Sequence, residues 1–236
     1  MNKKIKIGIV IVLLLIVGFA IFYINDYYHA EKIATDSLND NDNVSVIKTS
    51  NGMLFDGPGN DTALIFYPGA KVEYTSYAPL FMNLSEQGID SYLVEMPFNL
   101  AFLGLNSADE IIDGGNYSHY FISGHSLGGA MAASYVNSTN KTDGLILFAA
   151  YPTSEIEKPV LSIYGTNDKV LNLEKYNESK QFMDDNLTEC LINGGNHAQF
   201  AYYGNQSGDG VASISAESQQ DQSVNEILQF IGDVLK

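Results

Sequence analysis

Short apolar runs alternate with longer amphipathic segments through most of the chain, and this alternation constrains the fold more than any other feature. Such compact runs are typical of strands that are buried on both faces. They lie at residues 63–67, 91–96, 119–124, 145–150, 160–165 and 189–194. Helical patterns lie near 75–87, 107–113, 127–136, 172–184 and 222–235. The alternation predicts an α/β fold, with a mostly parallel, doubly wound sheet flanked by helices.

An uncharged apolar stretch, residues 7–24, precedes this pattern. As a helix it is roughly 27 Å long, which is close to the hydrocarbon thickness of a bilayer. Lys3, Lys4 and Lys6 lie before it, and positive charge stays on the cytoplasmic side. We therefore expect a single-pass anchor in the cell membrane, with a cytoplasmic N-terminus and an extracytoplasmic domain. A cleaved signal peptide is the alternative, although its apolar region is usually shorter and ends at a small-residue cleavage site.

These features divide the chain into three predicted segments. Residues 1–24 form the basic segment and transmembrane anchor, 25–43 a polar stem that we expect to be solvated, and 44–236 the folded domain. The domain opens with a predicted hairpin around Asn51-Gly52. The formal net charge is −16 and the chain has no arginine, which argues against nucleic acid as a partner.

A G-x-S-x-G motif, Gly124-His125-Ser126-Leu127-Gly128, lies between a predicted strand and a predicted helix. At such a junction the motif forms a nucleophile elbow, which holds the serine in a strained conformation at the edge of the sheet. The helix N-terminus behind Ser126 favours negative charge, and the Leu127 amide can donate to an oxyanion. Ser126 is therefore the candidate nucleophile. A tight turn that carries an incidental serine is the alternative.

Four histidines are candidates for the base that activates Ser126. His29 lies in the stem, and His119 begins a strand. His125 adjoins Ser126, but neighbouring side chains in a sharp turn diverge, so we expect His125 to pack against the sheet or a loop. His197 follows the last predicted strand in a glycine-rich loop, at a carboxyl end where the sites of such sheets gather. His197 is the predicted base.

A third group has to hold the imidazole of the base, and Asp168 follows a predicted strand at another carboxyl end. Asn-Asp sequences favour turns and helix caps, and Asp168 considered alone would be assigned to one of them. The chain order Ser126, Asp168, His197 is, however, the order in which a triad is mounted on a hydrolase sheet. We therefore predict that Asp168 orients His197.

The segment Pro68-Gly69-Ala70 follows the first apolar run and is expected to turn its backbone toward the nucleophile. The amide of Ala70 would then pair with that of Leu127 to form an oxyanion hole. Lys71 comes next, and we expect it to pair with Glu73. Contact with an anionic substrate group is the alternative for Lys71.

By these features the chain resembles the α/β-hydrolase superfamily over residues 44–236, and most closely its small lidless, dienelactone-hydrolase-like, membrane-anchored members. The segments that carry the resemblance are FYPGAKVEYTSYAPL, MPFNLAFLG, GHSLGGAMAA, LSIYGTNDKV and GGNHAQF. The resemblance implies the roles given above for Ser126, Asp168, His197, Ala70 and Leu127. Many relatives have histidine-glycine in the oxyanion loop, where this chain has Pro68-Gly69.

Too few residues separate the two apolar runs before Asp168 to hold a cap domain. We therefore expect an open site, bordered by loops such as 97–106 and the segment after His197. That segment is rich in tyrosine and glycine and is predicted to fold over the pocket, with packing on the surface as the alternative. The side chains predicted to contact substrate are Lys71, Tyr202, Tyr203 and Asp209.

The predicted chemistry is acyl transfer by a serine hydrolase that acts on a small-molecule ester or a related acyl substrate. It requires neither a cofactor nor a metal ion. Two alternatives remain open at this point. One is a catalytically silent hydrolase fold that serves as a binding or cell-envelope protein, and the other is a peptidase or thioesterase with the same triad.

Overall fold

An eight-stranded sheet forms the centre of the domain in the computed structural model, which describes residues 2–59 and 61–236. Met1, in the predicted anchor segment, and Asn60, in the predicted domain, lie outside the described residues. The strands are β1 (Ser45–Thr49), β2 (Gly52–Asp56), β3 (Thr62–Tyr67), β4 (Asp90–Val94), β5 (His119–His125), β6 (Gly144–Phe148), β7 (Val160–Gly165) and β8 (Leu187–Ile192). Their order across the sheet is β1-β2-β4-β3-β5-β6-β7-β8.

The sheet is parallel except for the hairpin. Strand β2 pairs antiparallel with both β1 and β4, and every other pairing is parallel. The predicted strands and their mostly parallel arrangement are confirmed. Because parallel strands end at the same side, β3 to β8 share one edge at their carboxyl ends, which we call the carboxyl edge.

Seven α-helices accompany the strands in the part of the chain that the structure describes. They are α1 (Lys3–Asn25), α2 (Lys32–Asp36), α3 (Ala78–Glu86), α4 (Ser107–Gly114), α5 (Leu127–Val136), α6 (Leu173–Ser179) and α7 (Ala216–Val234). Helix α7 begins well before the predicted start at 222. Its first turns bury the polar side chains of Gln219 and Ser223, which an apolar periodicity does not detect.

Two apolar cores lie on opposite faces of the sheet. Successive residues of β5 alternate between them, because side chains of a strand point to opposite faces. Phe121 belongs to the core that includes Phe81 of α3 and Phe230 of α7. Ile122 belongs to the core that includes Ile111 of α4 and Ala132 of α5. The sheet is therefore covered on both faces, as the continuous apolar runs predict.

Helix α1 lies outside these cores. None of its side chains is buried, and the mean hydropathy of an 18-residue window is 3.1. By length and composition α1 is able to cross a membrane.

The predicted solvated stem instead packs against the domain, which corrects that expectation. Ala34 of α2 is fully buried, and the Glu31 amide donates a 2.8 Å hydrogen bond to the Tyr202 carbonyl. The polar composition of the stem suggested full exposure to solvent, but side-chain oxygens of the stem accept hydrogen bonds from backbone amides. Asp40 Oδ1, for example, accepts a 2.7 Å hydrogen bond from the Val46 amide at the start of the sheet.

The connection from β6 to β7, residues 149–159, contains no helix and no strand. No cap domain is therefore inserted at this point, as predicted.

Candidate active site

Ser126 lies at the junction of β5 and α5 in a strained conformation, with φ 54° and ψ −121°. Its amide donates a 2.9 Å hydrogen bond to the Phe148 carbonyl of the neighbouring strand, which fixes the turn. The flanking glycines are required by close backbone contacts. A Cβ at Gly128 would lie 2.1 Å from the Tyr67 carbonyl oxygen, and one at Gly124 would lie 2.5 Å from the Gly128 carbonyl.

Backbone strain is concentrated at the carboxyl edge. In residues 2–59 and 61–236, the non-glycine residues with positive φ number six, and five of them follow the ends of β3, β4, β5 and β6. These five are Lys71, Phe98, Asn99, Ser126 and Ala149. Because strain of this kind persists only where the surroundings enforce it, the cluster marks this edge as the candidate functional region.

His197 and Asp168 form a buried pair. The Nδ1 atom of His197 lies 2.9 Å from Asp168 Oδ2, and each side chain is only 1% exposed. The other carboxylate oxygen, Oδ1, accepts 2.8 Å hydrogen bonds from the amides of Val170 and Leu171. Asp168 therefore does both things that its sequence context suggested: it stabilises the turn that follows it, and it contacts His197.

The pairing determines which nitrogen of His197 carries the proton. An ionised carboxylate only accepts hydrogen bonds, so the neutral imidazole holds its proton on Nδ1 and leaves Nε2 as an acceptor. Among the described residues, neither His197 Nε2 nor Ser126 Oγ has a hydrogen-bond partner. Both residues nevertheless line the same cleft, although the hydrogen bond between them is not formed.

The cleft has a volume of about 350 Å³ and lies over the carboxyl ends of β5, β6 and β7. Its lining is largely apolar and comes from the start of α5, the connection after β6 and the segment after Asp168. Besides Ser126, Leu127 and His197, the lining residues are Ala130, Ala149, Ala150, Tyr151, Thr153, Val170, Leu171 and Asn172. None of these eight was predicted individually, although most of them follow the strand ends at which sites of such sheets gather.

Two amides at this edge are free to donate. Among the described residues, the amides of Ala70 and Leu127 donate no hydrogen bond. Leu127 is the first residue of α5, whose initial amides have no partner within the helix. Ala70 follows Gly69, and the Gly69 amide donates a 3.1 Å hydrogen bond to Tyr77 Oη.

His125 is 1% exposed and lies below the loop that contains Gly69. Its Nδ1 atom is 2.8 Å from Tyr77 Oη, and its ring centroid is 4.4 Å from that of His197. Because Tyr77 Oη already accepts from Gly69, its own proton is available for His125 Nδ1. Burial, followed by the nearby His197, holds the pKa of His125 well below its usual value. His125 thus packs beneath the site, as the diverging side chains of the turn predict.

The predicted substrate contacts lie outside the cleft. Lys71 Nζ pairs with Asp26 Oδ2 at 2.6 Å, so the expected partner Glu73 was wrong. Tyr203 is 5% exposed and stacks on Tyr28, with ring centroids 5.3 Å apart.

The other two predicted contacts serve the loop in which they lie. The backbone of Tyr202 donates to the Ser76 carbonyl at 2.9 Å. Asp209 accepts from the amides of Lys169 and Ala198 and so joins the segments that carry Asp168 and His197. The composition of the segment after His197 indicated neither the burial of Tyr203 nor these hydrogen bonds.

The chain belongs to the alpha/beta hydrolase family, because a sequence profile described as "Alpha/beta hydrolase family" matches residues 63–221. This range contains the elbow and both members of the buried His197–Asp168 pair. Among curated proteins, none matches the sequence significantly.

Solved structures share the fold at low identity. TT1662 from Thermus thermophilus is 12% identical with a TM-score of 0.59, over 82% of this chain and 98% of that protein. Esterase 2 of Thermogutta terrifontis, phosphoramylated by tabun, is 14% identical with a TM-score of 0.57, over 82% of this chain and 96% of that one. Est1E from Butyrivibrio proteoclasticus is 14% identical with a TM-score of 0.54, over 80% and 99%. At these identities the likeness shows the fold.

Proposed function

We propose that the protein is a serine hydrolase that cleaves a small ester or related acyl compound through an acyl-enzyme. The observation that carries this proposal is the buried His197–Asp168 pair, which lines one cleft together with the strained Ser126. Among the described residues, Nε2 has no hydrogen-bond partner in either His125 or His197, but only His197 lines the cleft with Ser126, where a role in proton transfer accounts for an open acceptor nitrogen.

In the first half-reaction, His197 Nε2 takes the hydroxyl proton of Ser126 while Oγ attacks the acyl carbon. The carbonyl oxygen becomes an oxyanion, which the free amides of Ala70 and Leu127 stabilise. Asp168 holds Nδ1–H and stabilises the imidazolium. The leaving alcohol then takes the proton from Nε2, and the acyl group remains on Oγ.

In the second half-reaction, His197 Nε2 takes a proton from water, whose oxygen attacks the acyl carbon. The acid leaves, and Ser126 Oγ recovers its proton from Nε2. The lone cysteine is a poor competing nucleophile, because burial, followed by the charge of Glu226, raises the pKa of Cys190 to about 11.

A fluorophosphonate probe tests the proposal directly. Esterase 2 of Thermogutta terrifontis is phosphorylated by paraoxon, and we expect a reagent of the same class to modify Ser126 here. The expected result is an adduct on the Ser126 peptide in the wild type and in Ser134→Ala, a matched serine variant on α5, and none in Ser126→Ala. Absence of labelling in folded wild-type protein from pH 6 to 9 would favour the catalytically silent alternative.

The acyl class is resolved by a panel of esters, thioesters and peptides. The largely apolar cleft of about 350 Å³ favours small acyl esters over peptides. If a thioester or peptide exceeds every ester in kcat/KM by tenfold or more, the ester assignment is wrong.

The proposal also includes the location of the protein in the cell. The N-terminal helix α1 would anchor the protein in the cell membrane, with the N-terminus cytoplasmic and the hydrolase domain outside, because three lysines lie at the start of the helix, before its apolar stretch. A protease added to intact cells should then degrade the domain. Resistance of the domain until the cells are lysed would overturn this orientation.

A further inference from the structure

The anchor helix and the catalytic edge are joined by very few residues. Helix α1 ends at Asn25, and Tyr28 already forms a parallel bridge with Val72 in the loop after β3. In this bridge the Tyr28 amide donates to the Lys71 carbonyl at 2.7 Å. The three Cα–Cα steps from Asn25 to Tyr28 span at most about 10 Å. The loop that contains Ala70 therefore lies close to the end of α1.

Side chains add further contacts to this joint. Lys71 Nζ lies 2.6 Å from Asp26 Oδ2 and 4.6 Å from the ring centroid of Tyr23, the latter within range of a cation–π contact. The amide of Ala30 donates a 3.0 Å hydrogen bond to Glu73 Oε2. The domain is thus held against the end of α1 by contacts on both sides of the bridge, rather than suspended from a flexible linker.

An exposed apolar surface lies beside this joint. Phe98, Phe102 and Leu103 are 57%, 52% and 48% exposed, and we call these three residues the apolar rim. The loop 97–106 that carries them contains no charged residue. Large apolar side chains grouped in this way mark an interaction surface.

The apolar rim adjoins the joint, and its 3₁₀ turn contacts the helix that follows Ser126. Phe98 and Ile24, at the end of α1, line one cavity of about 290 Å³. The Asn99 carbonyl accepts a 2.8 Å hydrogen bond from the Lys71 amide. The 3₁₀ turn Ala101–Leu103 packs on α5, the helix whose first amide is the free donor of Leu127.

We propose that the apolar rim inserts into the bilayer surface from which α1 emerges, and that the site takes acyl esters dissolved in the bilayer from that surface. The part that concerns the substrate rests on the proposed hydrolase function. The occupant is a lipid surface because the rim adjoins the end of a helix with the length and composition of a membrane span. Because the loop has no charge, insertion depends on apolar contact and not on anionic headgroups.

The absence of tryptophan from the chain permits a direct test of insertion. Phe98→Trp places a single fluorophore in the full-length protein, which is reconstituted in phosphatidylcholine nanodiscs with or without brominated acyl chains. We expect bromine to quench Phe98→Trp, as it quenches the reference Phe19→Trp within α1. The matched control is Asn140→Trp, an exposed position just before β6 at the opposite edge, which should not be quenched.

Two outcomes overturn the proposal. In one, Phe98→Trp is quenched by bromine no more than Asn140→Trp and is quenched by aqueous iodide, so the rim faces water. In the other, Phe98→Trp resists both quenchers, so protein covers the rim. Neither measurement involves hydrolysis, and both are valid even if Ser126 is inactive.

A second measurement tests the substrate class. The double variant Phe102→Ser/Leu103→Ser is compared with Ile47→Ser/Leu191→Ser, which removes exposed apolar side chains from the two edge strands. The substrates are p-nitrophenyl acetate in water and p-nitrophenyl palmitate in the nanodisc. We expect the rim variant alone to lose about tenfold or more on the palmitate, equivalent to 1.4 kcal/mol, while its rate on the acetate is retained. Equal loss on both esters would exclude the surface route, whereas wild type inactive on both esters would count against the hydrolase itself.

Discussion

Two histidines lie side by side near Ser126, and their partners differ. His125 and His197 are each 1% exposed, and their ring centroids are 4.4 Å apart. At His197 the Nδ1 atom meets the carboxylate of Asp168, which accepts a proton. At His125 the Nδ1 atom meets the hydroxyl of Tyr77, whose proton is available to it because the hydroxyl oxygen already accepts from the Gly69 amide. With Tyr77 as donor the two rings hold their protons on opposite nitrogens, so that the partner, and not burial or sequence proximity to Ser126, decides which ring leaves Nε2 as an acceptor.

The largest expected effect in this comparison is that of His197→Asn. Without Nε2 no group remains to accept the Ser126 proton, and we expect kcat for an active ester to fall on the order of 10⁶-fold. Steady-state kinetics with circular dichroism as a folding control provide the measurement. A loss smaller than that of His125→Asn in folded protein would reverse the two roles.

Asp168→Asn is expected to have the next largest effect. The asparagine can still accept from the amides of Val170 and Leu171, but its NH₂ group would face His197 Nδ1 and favour the wrong tautomer. We expect a loss of about 10³–10⁴-fold in kcat, as for buried triad aspartates in general. Asp209→Asn is the matched control, because Asp209 also binds backbone amides of the loops but does not contact His197. Similar losses in both variants would indicate that Asp168 only holds its loop.

Tyr77→Phe removes the hydroxyl that joins the Gly69 amide to His125. Both buried groups lose their partner, so we expect a decrease of about 1–3 kcal/mol in the free energy of unfolding. We also expect a fall of about 10–100-fold in kcat, less than for loss of an oxyanion donor itself. Denaturant unfolding and kinetics measure the two effects. The control is Tyr203→Phe, which changes a buried tyrosine outside the cleft and should retain kcat. An equal fall in kcat in this variant would show that the Tyr77 hydroxyl has no particular role in the site.

His125→Asn is expected to have the smallest effect on activity. The asparagine Oδ1 can occupy the position of Nδ1 and accept from Tyr77, so we expect less than about a tenfold loss in kcat, or about 1.4 kcal/mol in activation free energy. Kinetic comparison with His197→Asn measures the difference. Comparable losses in the two folded variants would show that the ring of His125 takes part in the reaction.

The same variant should also change the dependence of stability on pH. The pKa of His125 is lowered in the folded protein by burial and by His197, whereas in the unfolded chain it is near 6.5. Below about pH 6.5 the unfolded state binds a proton that the folded state does not, so wild-type stability falls as the pH falls. We expect the decrease in Tm between pH 8 and pH 5 to be smaller in His125→Asn, and an unchanged decrease would show that His125 is not the group responsible.

Most of the sheet and the positions of the predicted triad residues could be anticipated from the sequence, because both depend on local pattern. Apolar runs specify strands that are buried on both faces, and parallel strands bring their carboxyl ends together. Ser126, His197 and Asp168 each follow a different strand end, and this shared placement, rather than any spacing between them, made their proximity predictable.

The remaining features depend on contacts that no local pattern records. The acidic stem was expected in solvent, whereas Ala34 is buried and Asp40 binds a backbone amide of the sheet. Tyr203 was expected near substrate, and it packs on Tyr28 of that stem. Both errors have one cause, since the docking of a polar segment by its backbone and Asx side chains has no apolar signature.

The short joint between Asn25 and Tyr28, which has only two residues between them, would also limit how the proposed site meets its substrate. With α1 in a bilayer, a joint of about 10 Å gives the domain no reach, so it cannot sample the surrounding solution as a domain on a long linker does. If the substrate is dissolved in the bilayer, as proposed, encounter becomes a two-dimensional search, in which the rate follows the number of substrate molecules per unit area of membrane and the lateral mobility of both partners. Lengthening this joint, without any change in the cleft, would return the search to three dimensions.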